Sequence, residues 1–209
     1  MLALSVDYRM SPEHPFPAAV DDCLAAYKHL LDLGFPSSRI VTAGDSCGGG
    51  LSTIIPLATI QNHLPVPAAA ISISPWYDAT LSGKSMTTNS AKDVLNTTEF
   101  VNKLADRYTS GKQALRKEPL ISPLFAAAAD LRRLPPHWIS CGGDDMLLDD
   151  GTRFAEVLQA EGVDVRLVVH QGQQHVMEFM AGRAPEADQS LHDIGEWVQR
   201  IVAEGSNKK

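Results

Sequence analysis

Apolar positions change their spacing along the chain, and the changes predict its elements. Residues 2–6, Leu-Ala-Leu-Ser-Val, form a short apolar run that predicts a strand. A loop with Pro12, Pro15 and Pro17 follows. Over 18–33, Val20, Leu24, Tyr27, Leu30 and Leu31 fall at helical spacing, and Gly34 with Pro36 beyond it closes the helix. Residues 39–43 predict a strand, 51–60 a helix despite Pro56, and 68–74 a strand stopped by Pro75. The pattern then turns more polar. From Asp78 to Pro136 there is no convincing strand and one helix, at 98–108, so this stretch predicts an excursion from the sheet. Strand character resumes at 137–141. A helix at 151–160 carries Phe154, Ala155 and Leu158 on one side, and the valine-rich 163–170 alternates as a strand. A last helix starts at Pro185, with Leu191, Ile194, Trp197, Val198 and Ile201 on its apolar face.

Strands alternating with helices predict an α/β fold: a mostly parallel sheet with helices on both faces. Such sheets carry their chemistry at the carboxyl ends of the strands. The length predicts a single domain, 1–209, with the helical and loop excursion at about 78–136. An apolar fraction of 44% is ordinary for a globular chain and allows a core of useful size.

Composition removes several functions. The net charge is −7 and the C-terminal basic run is only Lys208-Lys209, so no nucleic-acid partner is expected. No apolar run approaches the roughly 18 residues that span a bilayer. Residues 1–7 are too short, and lack a basic flank, for a signal peptide. Cys23, Cys47 and Cys141 are odd in number and widely spaced, which predicts reduced thiols and a cytoplasmic protein, with Cys47 as a small buried residue. No HExxH and no post-strand GxGxxG is present, so no metal and no cofactor are expected.

One constellation carries chemistry. Gly44-Asp45-Ser46-Cys47-Gly48 is a G-x-S-x-G between a predicted strand and a predicted helix. On such a turn the serine hydroxyl points into the site, and the glycines two positions away leave room for tight packing. A serine hydroxyl needs a histidine to take its proton and a carboxylate to orient that histidine. Asp144 and Asp145 follow the strand at 137–141, and His175 follows the strand at 163–170. The other six histidines fall in helices or strands or outside this order. The order Ser, Asp, His is that of α/β-hydrolases. Asp149 and Asp150 also fit a helix cap.

These residues carry a resemblance. Asp7-Tyr-Arg-Met-Ser-Pro-Glu-His-Pro-Phe-Pro-Ala-Ala19 resembles the DYRLAPEHPFPAA of the hormone-sensitive-lipase-like carboxylesterases of the α/β-hydrolase fold. Gly44-Asp-Ser-Cys-Gly-Gly49, Ser74-Pro-Trp76, Ile121-Ser-Pro-Leu124 and Leu134-Pro-Pro136 are similar to further motifs of that family. The resemblance covers almost the entire chain. It implies that the orienting acid is Asp145, because Asp145-Met-Leu-Leu-Asp-Asp-Gly151 fits the family's D-P-L-x-D-E-G with Met146 in place of proline. The family's H-G-F stands here as His175-Val176-Met177.

The family also carries HGGG upstream of DYR, whose N–H groups supply part of the oxyanion hole. This sequence has none. The resemblance therefore implies a hydrolase fold lacking its N-terminal part, with the Cys47 N–H as the remaining oxyanion donor. Loss of one donor typically costs about 10²–10³ in rate. A strand of the missing part would lie between residues 2–6 and 39–43. Either those two strands pair directly, or an exposed edge invites association of copies.

The resemblance implies an esterase for small or medium acyl groups, acting through Ser46, Asp145 and His175. One alternative is a catalytically weak or inactive remnant, or a small-molecule-binding protein, as in receptors of this fold. Another is a tailoring hydrolase for an acetylated metabolite, lactone or amide. Trp76, Leu147, Met177 and Phe179 are candidates for either pocket or core.

Overall fold

A computed structural model describes residues 2–206. In chain order the elements are α1 (Ala18–Asp32), β1 (Val41–Asp45), α2 (Cys47–Gln61), β2 (Ala69–Ile73), α3 (Ser85–Thr88), α4 (Thr98–Thr109), α5 (Ala128–Leu131), β3 (His137–Gly142), α6 (Leu148–Ala160), β4 (Val165–His170) and α7 (Pro185–Ser206). Short 3-10 turns fill some connections. Four parallel strands pair in the order β1-β2-β3-β4. This is the expected parallel sheet with helices on both faces.

Side-chain alternation along the strands divides the two faces. On β3, Ile139 and Cys141 meet Phe154 and Leu158 of α6, while Trp138 meets Ile194, Trp197 and Ile201 of α7. Every residue of β3 is buried, as expected for a central strand covered on both sides. α2 is buried over residues 49–60, so its apolar character runs all round rather than along one stripe. Its polar side chains are satisfied internally. Ser52 Oγ lies 2.8 Å from Ser72 Oγ, and Thr53 Oγ1 lies 2.8 Å from Tyr77 Oη.

The strand predicted at 2–6 does not form. These residues have no regular structure, and Leu2 and Leu4 are 88% and 56% exposed. A short apolar run becomes a strand only where a neighbour takes its N–H and C=O groups. β1 pairs only with β2 among the described residues, so its other side is an open edge. The chain instead runs back over the helices. Tyr8 and Phe16 pack beside Ala19, Val20, Leu51 and Ile54, and Arg9 forks onto Asp22 at 2.8 Å.

Other boundaries shift by a few residues. The strand expected at 39–43 is 41–45, because Ser37–Arg39 forms a 3-10 turn after Pro36. α2 starts at Cys47 and α6 at Leu148, each earlier than the apolar pattern alone indicates. The excursion contains no strand. α6 ties it to the sheet through acids that do not cap their own helix. Asp149 Oδ2 accepts the N–H groups of Lys84 and Ser85 at the start of α3, at 2.6 and 3.1 Å. Asp150 Oδ2 accepts those of Tyr77 and Asp78, both at 2.8 Å.

Candidate active site

Ser46 sits on the one residue between β1 and α2, with φ 53° and ψ −120°. Non-glycine residues rarely adopt this backbone, and neighbours must hold it there. The Ser46 N–H donates to Ile73 at 2.9 Å, and its carbonyl accepts from Gly50 at 3.0 Å and Trp76 at 3.1 Å. The two flanking glycines differ. A Cβ on Gly44 would stand 2.3 Å from the Gly48 carbonyl oxygen, whereas one on Gly48 would meet nothing within 4 Å. Only Gly44 is needed for close approach, which corrects the expectation for the pair.

His175 follows β4, and its Nδ1 lies 2.8 Å from Asp145 Oδ2. The other Asp145 oxygen accepts the Leu147 N–H at 2.8 Å. Asp145 is fully buried. Against a carboxylate, Nδ1 carries the proton, which leaves Nε2 of a neutral ring as an acceptor. Asp144, the other candidate acid, turns outward and pairs with Lys92 at 3.3 Å.

Ser46 and His175 share no hydrogen bond. They are linked through β2: Ser46 is bonded to Ile73, and the next residue, Ser74, accepts the Val176 N–H on its hydroxyl at 2.9 Å. Ser74 and Val176 have positive φ, 43° and 51°. Val176 stands where the resembling family has glycine, so a β-branched side chain occupies left-handed backbone beside the histidine. The role of Ser74 left no sign in apolar spacing, because it rests on a contact 102 residues away.

Cys47 is exposed, which corrects its expected burial. As the first residue of α2 it turns toward the 8–11 loop, with Sγ 3.8 Å from Tyr8 Oη. Its backbone N–H has no protein partner among the described residues, as befits the first turn of a helix. A cavity of about 210 Å³ opens beside it, lined by Leu51, Trp76, Leu104, Tyr108 and Ile121 among others. Three of these come from the excursion and its helix. Leu147 and Met177 are core, and Phe179 is exposed. No cluster of three or more metal-type ligands occurs among the described residues. None of their helices is long and apolar enough to cross a membrane.

A parallel sheet with a serine elbow after one strand and an Asp–His pair after two others defines an α/β-hydrolase architecture. The sequence family described as the alpha/beta hydrolase fold matches residues 1–179. The chain is 36% identical to an acetyl-hydrolase of Streptomyces hygroscopicus over 97% of its own length and 66% of that protein's. It is 34% identical to an esterase of Acinetobacter venetianus, over 96% of this chain and 65% of the relative. Its structure superimposes on an esterase of the bacterial hormone-sensitive lipase family with a TM-score of 0.89 at 41% identity, covering 94% of this chain and 64% of that one. The chain belongs to the α/β-hydrolase fold family, on its hormone-sensitive-lipase-like carboxylesterase branch, and spans a little under two thirds of the length of these relatives.

Proposed function

We propose that Ser46, His175 and Asp145 form the catalytic triad of a serine hydrolase that cleaves carboxylic esters of small or medium acyl groups. Ser46 Oγ attacks the ester carbonyl while His175 Nε2 takes its proton. The same nitrogen then protonates the departing alcohol, leaving an acyl-enzyme. Water deprotonated by His175 releases the acid. Asp145 holds the imidazole and stabilises its charged form. The Cys47 N–H faces the oxyanion.

The observation that carries this reading is the 2.8 Å contact of His175 with a buried Asp145, in the loops that follow β4 and β3 at the same end of the parallel sheet as the Ser46 elbow. The apolar cavity beside Cys47 suits an acyl chain. One solved relative, 40% identical, was soaked with p-nitrophenyl butyrate. The test is hydrolysis of p-nitrophenyl acetate and butyrate by the 209-residue chain beside Ser46→Ala. Turnover abolished in the variant is the expected result. Turnover unchanged by Ser46→Ala overturns the triad. A folded chain without turnover supports the second reading, a binding protein or weak remnant. The acetyl-hydrolase relative favours acetylated metabolites among the ester substrates.

A further inference from the structure

The acid loop is gripped from outside the sheet, by residues 89–96 of the excursion. Asn89 Nδ2 donates to the Asp145 carbonyl at 2.9 Å and to the Gly143 carbonyl at 3.1 Å. Asp93 Oδ2 accepts the Met146 N–H at 2.9 Å. Asp93 Oδ1 accepts the N–H groups of Leu95 and Asn96, each at 2.8 Å. Asn89 and Asp93 thus hold the two ends of one peptide unit, the C=O of Asp145 and the N–H of Met146. A tilt of that unit swings the Asp145 carboxylate away from His175. The same strap holds the base loop: Gln174, next to His175, accepts the Val94 N–H at 3.0 Å and donates to the Lys92 carbonyl at 3.1 Å.

Met146 gives this grip its significance. It stands where the resembling family motif has proline, whose ring fixes φ and which has no N–H. Met146 is fully buried, and among the described residues its N–H has no acceptor other than Asp93. Without that acceptor the loop would carry both a freer φ and an unpaired buried donor, and burying an unpaired N–H is destabilising.

We propose that Asn89 and Asp93 are positioning residues for Asp145, and that Asp93 supplies by a hydrogen bond the rigidity that a proline ring would give at position 146. The kinetic part of this proposal rests on the triad reading above; the geometric part does not. Asp93→Asn is the informative change. Its amide keeps one oxygen for Leu95 and Asn96 but turns an NH₂ toward the Met146 N–H, donor against donor.

The expected result is a kcat for p-nitrophenyl butyrate lower by about 10–100-fold, as for a misplaced catalytic group, with KM within about twofold. Adding Met146→Pro to Asp93→Asn restores most of kcat, since proline needs no acceptor. Met146→Pro also deletes a fully buried side chain and removes the unpaired donor, so the melting temperature of each variant is measured beside kcat to separate restored positioning from restored stability. Asn89→Asp, which sets a carboxylate against two carbonyls, lowers kcat and is not rescued by proline. A readout independent of turnover is the low-field proton resonance of the His175 Nδ1–H bonded to Asp145. It weakens in Asp93→Asn and returns in the double variant. Without Ser46-dependent turnover, this same response of the resonance sinks the triad reading but sustains the positioning. Wild-type kcat and resonance in Asp93→Asn, or losses that Met146→Pro does not reverse, overturn the proposal.

Discussion

The two glycines of the elbow make opposite predictions when each is changed to alanine. In Gly44→Ala the new Cβ stands 2.3 Å from the Gly48 oxygen and 2.4 Å from its carbonyl carbon, inside the 3.0 Å that real Cβ atoms respect. Something must move by at least about 0.7 Å, and the obstacle is backbone in the first turn of α2. Overpacking a core with side chains that can yield costs about 1–3 kcal/mol. Here nothing flexible yields, so the loss is expected at or above the upper end, about 3 kcal/mol. In Gly48→Ala the Cβ enters open space, and alanine gains up to about 1 kcal/mol over glycine in a helix. Urea titration followed by circular dichroism reads the difference. With a slope of about 2 kcal/mol/M, Gly44→Ala lowers the midpoint by about 1.5 M while Gly48→Ala leaves it unchanged or raises it. Equal midpoints for the two variants, or a lower one for Gly48→Ala, would refute the packing argument.

His137 predicts a pH dependence of stability. It is fully buried, its Nδ1–H donates to the Pro135 carbonyl at 2.7 Å, and burial pushes its pKa down from 6.5 to about 4. The unfolded chain therefore binds the proton first as pH falls. The contribution is complete above pH 6.5 and is lost on the way down to about pH 4, a loss of about 3 kcal/mol. Burial raises the Asp150 carboxyl, which gives the opposite slope, so the comparison must be with His137→Leu in the same background. Denaturation midpoints measured from pH 7 to 4 should fall more steeply for wild type; parallel curves would exclude the assignment. Val176 predicts an inverted order of substitutions. At an ordinary buried valine, glycine costs more than alanine, but at φ 51° glycine escapes a left-handed penalty of about 1–2 kcal/mol that alanine still bears. Val176→Gly should be at least as stable as Val176→Ala in thermal melts, and a clearly lower melting temperature for the glycine variant would count against strain at this residue.

Elements were legible in the sequence where a period reports burial on one face, and the Ser, Asp, His order was legible because strand ends fix where chemistry stands, while the choice of Asp145 over Asp144 rested on the family resemblance. The failures share a cause. Residues 2–6 have the composition of a strand, but whether a strand forms depends on a neighbour that local pattern does not reveal. Cys47 was expected inside because cysteine usually is buried, yet its position on the first turn after the elbow aims it at the cleft. Asp149 and Asp150 resemble caps of α6, but their carboxylates serve backbone 64 to 73 residues away in the chain. Contacts of that kind have no period and leave no local trace.

This explains why the polar part of the site was the harder part to foresee. The reacting groups stand on loops, and a loop gains precision only if its peptides are bonded to something rigid. Here the acid loop is bonded to Asn89 and Asp93, the base loop through Gln174 to Lys92 and Val94 and through Val176 to Ser74, and the elbow to Ile73 and Trp76. Most of the side chains in these bonds are short amides, carboxylates or hydroxyls, residue types that in a sequence read as turn formers. The departure at Met146 sharpens the point. Where a proline can set a loop by itself, a methionine needs an acceptor from elsewhere, and the excursion delivers it. The excursion therefore does two things at once: Leu104, Tyr108 and Ile121 line the cavity, while residues 89–96 fix the groups that would act on whatever enters it. Changes in the excursion meant to reshape the cavity should then be confined to the residues after 96, because those before it also move the acid.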